Sequence, residues 1–151
     1  MRKAVRAIII KDDQLLVMNR NKFGVVYDTL PGGNIEVGET IEQALFREVL
    51  EETMVTFSDP RLVFIEHSDE VYGDQYIYLC NYMHGEPKLH PDSEEEHINK
   101  LGKNLYKPSW LSFEELTKVS FLSRELQQLL IQCHKQGWPE NVQEFASTRN
   151  V

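Results

Sequence analysis

The run from Gly33 to Val55 limits what this chain can become more than any other stretch of it. It reads GNIEVGETIEQALFREVLEETMV. The segment 40–53 is predicted to be a helix. Thr40 suits an N-cap, Gln43 completes a capping box, and the interior has no Gly or Pro. At roughly 100° per residue, Leu45, Phe46, Val49 and Leu50 share one arc, and Glu48, Glu51 and Glu52 fall away from it. The apolar arc suits a core. Carboxylates crowded within a turn disfavour both the helix and their own ionisation. A bound Mg²⁺ or Mn²⁺ would reverse that sign, because it supplies positive charge to hard oxygen donors. A Glu-rich helical face by itself is more often a solvated surface. The common register of glycine, arginine and acids favours the metal reading here.

Upstream, Leu30-Pro31-Gly32-Gly33 holds two adjacent glycines. They permit positive φ and let a carbonyl come close to a metal or phosphate. Gly38 adds a second bend. Arg47 can pair with Glu51 at i+4 or with Glu39 if the loop folds back, and the sequence leaves both open.

The segment resembles the Nudix box, G-x5-E-x7-R-E-U-x-E-E-x-G-U with U aliphatic. Gly33, Glu39, Arg47, Glu48, Val49, Glu51, Glu52 and Val55 match it. Met54 stands where the box has a glycine. That glycine would cap the helix with φ > 0. A left-handed Met costs about 1–2 kcal/mol, so a different helix exit is expected. The resemblance implies a Nudix-type α/β/α sandwich with a mixed β-sheet. It implies Mg²⁺-dependent hydrolysis of a pyrophosphate bond in a nucleoside diphosphate-linked substrate: a nucleoside triphosphate, a dinucleoside polyphosphate or a nucleotide sugar. Carried over by position, Glu48, Glu51 and Glu52 are the expected metal ligands and catalytic acids, with the Gly32 carbonyl as a further ligand. Gly33, Glu39 and Arg47 are expected to support the loop–helix geometry. The competing expectation is a nucleotide-sensing module that binds without cleaving. Met54 favours it slightly, and the retained acids oppose it.

Family members often carry another acid before a late strand, here the one with Trp110. Lys100, Gly102, Lys103 and Asn104 supply none. Glu94, Glu95 and Glu96 are the nearest candidates, with Glu70 a weaker one. Arg6, Arg20 and Lys22 are the candidate phosphate contacts. Phe23, Tyr27, Tyr72 and Tyr76 are candidate stacking residues, although aromatics near strands are more often core. Tyr72 lies roughly where dinucleoside polyphosphate hydrolases of the family tend to carry a tyrosine. The proline that ADP-ribose-cleaving members tend to show nearby is missing.

The remaining chain sets bounds. Its 151 residues suit a single domain over 1–140 with a polar tail over 141–151. A net charge of −8 argues against a nucleic-acid-binding surface, so a polyanionic substrate would need local help from a metal and basic residues. No apolar run is long enough to span a membrane. MRKAVRAIII faintly imitates a signal peptide but reads as a strand. Cys80 and Cys133 have no metal-site spacing, which suits thiols in a reducing cytoplasm. His90 and His97 fit no zinc pattern. A homodimer is compatible with the chain, and nothing in the sequence selects an oligomeric state. Strands are predicted at 2–10, 14–20, 61–67, 75–83 and 105–111, with 23–30 extended. Residues 84–104 are predicted to be a long polar loop, and helices are predicted at 112–116 and 120–136.

Overall fold

The computed structural model describes residues 2–149. Strands β1 (Lys3–Lys11) and β2 (Gln14–Lys22) form a hairpin, in which Asp12 and Asp13 turn the chain with positive φ. The chain continues through β3 (Val25–Thr29), β4 (Gly32–Asn34) and helix α1 (Ile41–Thr53). Then come β5 (Thr56–His67), β6 (Asp74–His84), α2 (Glu94–Asn99) and β7 (Asn104–Ser112). Helices α3 (Phe113–Leu116) and α4 (Arg124–Gln136) and strand β8 (Gln143–Ala146) complete it.

The strands make one mixed sheet ordered β3-β2-β1-β6-β5-β8, with β4 also on β1 and β7 also on β2. Pairs β1–β6 and β5–β8 are parallel, and the others are antiparallel. Alternation along β1 builds both layers. Val5, Ala7 and Ile9 pack with Ala44, Leu45 and Val49 of α1. Ile8 faces the other way, toward Phe113 and Leu116 of α3 and Leu126 and Leu130 of α4. Each fully buried Leu or Ile contributes about 1.5–3 kcal/mol, and these two clusters hold the helices on opposite faces of the sheet. The architecture is thus the expected α/β/α sandwich. Among the described residues no helix is long and apolar enough to cross a membrane.

Several local expectations change. Helix α1 has the predicted capping box, Thr40 with Gln43. Its faces are not divided as the periodicity suggested. Glu52 is buried with Ala44, Leu45 and Val49, whereas Phe46 is exposed, its ring 5.8 Å from that of Phe57. Met54 takes the left-handed conformation (φ 60°) that a glycine would take, and its N–H donates to Leu50 at 2.9 Å. The different exit is therefore not needed. The turn is held from both sides: Thr53 Oγ1 accepts from the Val55 N–H at 3.1 Å, and the Thr53 carbonyl accepts from Lys88 at 2.9 Å.

Strand β5 starts at Thr56, not residue 61, because the chain crosses an irregularity at Asp59-Pro60 and pairs again. The long polar loop contains α2, capped by the Ser93 hydroxyl accepting from the Glu96 N–H. Helix α4 starts later than residue 120. Ser120 and Leu122 are bonded to Asp28 of β3, and Ser123 is the true N-cap. Part of the expected polar tail over 141–151 is a strand: β8 pairs Gln143–Ala146 with Phe64–His67 of β5. Phe145 meets Phe64 edge-on, with ring centres 6.0 Å apart. Polar composition concealed that contact.

Candidate active site

The glycine loop and α1 are locked together through Arg47. Its Nε and Nη2 donate to the two oxygens of Glu39 at 2.7 and 2.9 Å. Nη1 donates to Glu48 at 2.9 Å, and Nη2 also donates to the Asn34 carbonyl at 3.2 Å. Glu51, the i+4 alternative, lies at a marginal 3.5 Å. The choice left open by the sequence thus goes to Glu39, a bidentate geometry across the loop. Hydrogen bonding from Arg47 holds the Glu39 carboxyl down at about 2.

Gly32 is required by backbone contact, and Gly33 leaves room for the Glu48 carboxyl. The Gly32 N–H donates to Glu52 Oε1 at 2.7 Å. A Cβ on Gly32 would stand 1.9 Å from the Val5 carbonyl oxygen, and one on Gly33 would stand 2.5 Å from the Glu48 carboxyl carbon. These positions let β4 lie against β1 while the loop closes over the two glutamates.

Between this loop and the β2–β3–β7 strands is a cavity of about 530 Å³. Glu48, Glu52, Glu94 and Glu95 line one side. Glu52 is 5% exposed. Burial pushes its carboxyl up to about 8, and Glu48 and Glu95 add repulsion. Glu48 and Glu95 are themselves raised, again chiefly by burial. Burial thus outweighs the positive charge these carboxyls do meet, Arg47 at Glu48 and Arg6 at Glu52.

Much of the remaining lining is basic and aromatic. Arg2, Arg6, Arg20 and Lys22 belong to it, with Tyr27, Tyr72 and Tyr106. Arg6 is 9% exposed and has neutral partners, Gln75 Oε1 at 3.0 Å and the Leu30 carbonyl at 3.1 Å. Burial, and after it the charge of Arg149 nearby, lowers it to about 10. Among the described residues no carboxylate lies within ion-pairing distance of Arg6. Arg20 lies over the Tyr106 ring at 3.7 Å and reaches the Tyr27 hydroxyl at 3.5 Å.

Thus Arg6, Arg20, Lys22, Tyr27 and Tyr72, proposed from scattered positions, do converge on one cavity. Of the four acids considered outside the box, Glu94 and Glu95 reach it and Glu70 and Glu96 do not. Phe23 is exposed at the hairpin tip, and Tyr76 packs against the α1 cluster. Glu51 faces a separate hollow lined by Phe46, His90 and Asp92. Arg2 and Tyr106 were missed. Arg2 shares a strand face with Arg6, a period-2 signal that could have found it. Tyr106 depends on the long-range pairing of β7 with β2, where it stands opposite Arg20.

Among the described residues no three acid, His or Cys side chains already converge at metal-ligand spacing. Glu48 is engaged by Arg47 and Glu52 by the Gly32 N–H. The chemistry of the donors still fits a hard divalent cation. They are oxygens, they are buried, and they are short of compensating charge.

Comparison with known proteins finds relatives in sequence and in fold. The chain is 48% identical over 109 residues to the ADP-ribose pyrophosphatase of Methanocaldococcus jannaschii, covering 66% of this chain and 64% of that protein. It is 26% identical over 111 residues to the NAD-capped RNA hydrolase NudC of Pectobacterium carotovorum, covering 74% of this chain and 38% of that protein. The chain thus spans less than two thirds of either relative. In fold it is similar to a NUDIX hydrolase from Nitrosomonas europaea, with a TM-score of 0.71, 17% identity, and coverage of 97% of this chain and 78% of that one. The NUDIX domain family model matches residues 1–133, and the chain belongs to the Nudix family.

Proposed function

We propose that the protein is a Mg²⁺- or Mn²⁺-dependent hydrolase of the pyrophosphate bond in a nucleoside diphosphate-linked substrate. One observation carries the reading: a single cavity is lined both by carboxyls that burial raises, Glu48, Glu52 and Glu95, and by basic side chains, among them the buried Arg6 with no ion-pair partner among the described residues. A divalent cation satisfies the acidic wall and a polyphosphate the basic one. A substrate that brings both satisfies them together.

Glu48 and Glu52 would hold the cation, with Glu51 and the Gly32 carbonyl as the remaining family positions. Once bound, the cation would neutralise phosphate oxygens and acidify a water. Arg6 and Arg20 would take the phosphate charge, and Lys22 would add to the potential at the mouth. Tyr27, Tyr72 and Tyr106 would flank the nucleoside. Water attacks one phosphorus, a new P–O bond forms, and the bridging P–O bond breaks. We assign the attacking water's proton to Glu95, the more buried of the two out-of-box acids on the cavity wall. Arg47 and Glu39 act one step back, by fixing the loop on the helix.

Within this class we favour a substrate carrying adenosine diphosphate. The substrates named for the two relatives, ADP-ribose and an NAD cap, both contain that group. We favour a free nucleotide over a polymer, because a net charge of −8 opposes a nucleic-acid surface. A cytoplasmic location suits the two free, buried thiols. The test is a panel of nucleoside triphosphates, dinucleoside polyphosphates and ADP-sugars, each with Mg²⁺ and with EDTA. Mg²⁺-dependent cleavage is expected, fastest for the ADP-sugars. Nucleotide binding without cleavage under any metal would replace this reading with the sensing module.

A further inference from the structure

The family match ends at residue 133, yet the chain beyond it packs back on the sheet that carries the cavity. Strand β8 extends the sheet edge on β5. The Ser147 N–H donates to the His67 carbonyl at 2.9 Å, and the His67 ring is within 2.8 Å of Glu144. This strap delivers Arg149, which is 2% exposed. Arg149 Nε and Nη2 donate to Glu66 Oε1 at 3.2 and 2.5 Å. The Ser123 hydroxyl donates to the other Glu66 oxygen. Nη1 has no hydrogen-bond partner among the described residues.

From Arg149 a continuous set of contacts runs to the glycine loop. Its guanidinium lies 5.9 Å from the centre of the Tyr72 ring. The Tyr72 carbonyl accepts from Gln75 Nε2 at 2.6 Å, and Gln75 Oε1 accepts from Arg6 at 3.0 Å. Arg6 then donates to the Leu30 carbonyl, two residues before Gly32. Tyr72 and Arg6 both line the cavity. A buried ion pair is weak evidence for stability, since apolar side chains of similar size serve as well or better. The Arg149–Glu66 pair therefore calls for a role other than stability. It also sets a second guanidinium close enough to Arg6 for the two charges to repel.

We propose that Arg149, carried in by residues 143–149, is a positioning residue for the substrate-binding wall, setting Tyr72 and Arg6 for the phosphate-bearing substrate. The inference rests on the proposed reading of the cavity as a nucleotide site. In the full chain, Arg149→Met combined with Glu66→Gln removes the pair without stranding a buried charge. Expected are a Tm within about 5 °C of wild type, a KM raised about tenfold on the best panel substrate, and a kcat lowered no more than about threefold. Arg149→Lys, with Glu66 intact, should recover most of the KM. Calorimetric titration with ADP should show the same weakening without turnover, so the claim is tested even if the wild type cleaves nothing. A wild-type KM and ADP affinity in the double variant would overturn the proposal. So would a loss of kcat and Tm together with KM unchanged, the mark of a merely structural pair. If the wild type neither cleaves the panel nor binds ADP, both this proposal and the functional reading fall.

Discussion

The two walls of the cavity are made in opposite ways. The acidic wall comes from two short stretches, residues 32–52, one continuous loop and helix joined by Arg47, and the start of α2. The basic wall is drawn from β1, β2, β3, the β5–β6 loop and β7. Chemistry that needs a few oxygens at fixed spacing can be written on one local element. Recognition of a larger substrate needs surface from several strands, set by register rather than by local spacing. Substitutions on the first wall should therefore act on turnover, and those on the second on affinity.

The largest test of that contrast is Gly33→Ala. The new Cβ would meet the end of the Glu48 side chain, which can swing aside while the backbone stays. We expect kcat to fall about 100-fold, with Tm changed by only a few degrees, in a coupled assay with Mg²⁺. A global loss of fold would show that the glycine serves the backbone instead. Next is Arg20→Ala on the opposite wall. It removes the guanidinium stacked on Tyr106, and KM should rise about tenfold with little change in kcat. A matching fall in kcat would erase the division between the walls.

Glu52 yields a pH prediction. Its folded carboxyl is raised to about 8, so between about pH 4.5 and 8 the native state binds more protons than the unfolded state. Metal-free stability should then decline as pH rises through that window, by on the order of a few kcal/mol. Saturating Mg²⁺ should remove the decline. Melting curves from pH 5 to 9 measure it, and a flat metal-free profile would mean that the wall carries its charge unaided. The smallest effect is expected at Met54. Relief of its left-handed backbone in Met54→Gly should stabilise the protein by about 1 kcal/mol in denaturant titrations, without altering KM.

The same division explains what could be read from the sequence. The capping box, the apolar face of β1 and the register of Glu39, Arg47, Glu48 and Glu52 are local patterns, visible at periods of two and 3.6. The burial of Glu52 was not visible, because it depends on how the Gly32 loop folds over α1. The role of Tyr106 required knowing that β7 lies on β2. The Ser93 cap was a local signal obscured by the acids following it, which gave α2 the look of a solvated loop. Arg149 lay hidden in a polar tail whose partner, Glu66, sits in the middle of the chain.

The central claim is that the acidic wall holds the cation at which a pyrophosphate is cut. ³¹P NMR of ADP-ribose incubated with Mg²⁺ and either the wild type or Glu52→Gln tests it most directly. The account predicts that the wild type converts the diphosphate signals to two phosphomonoesters, and that the folded variant does so at least about 100-fold more slowly. Equal conversion by the two proteins would contradict it.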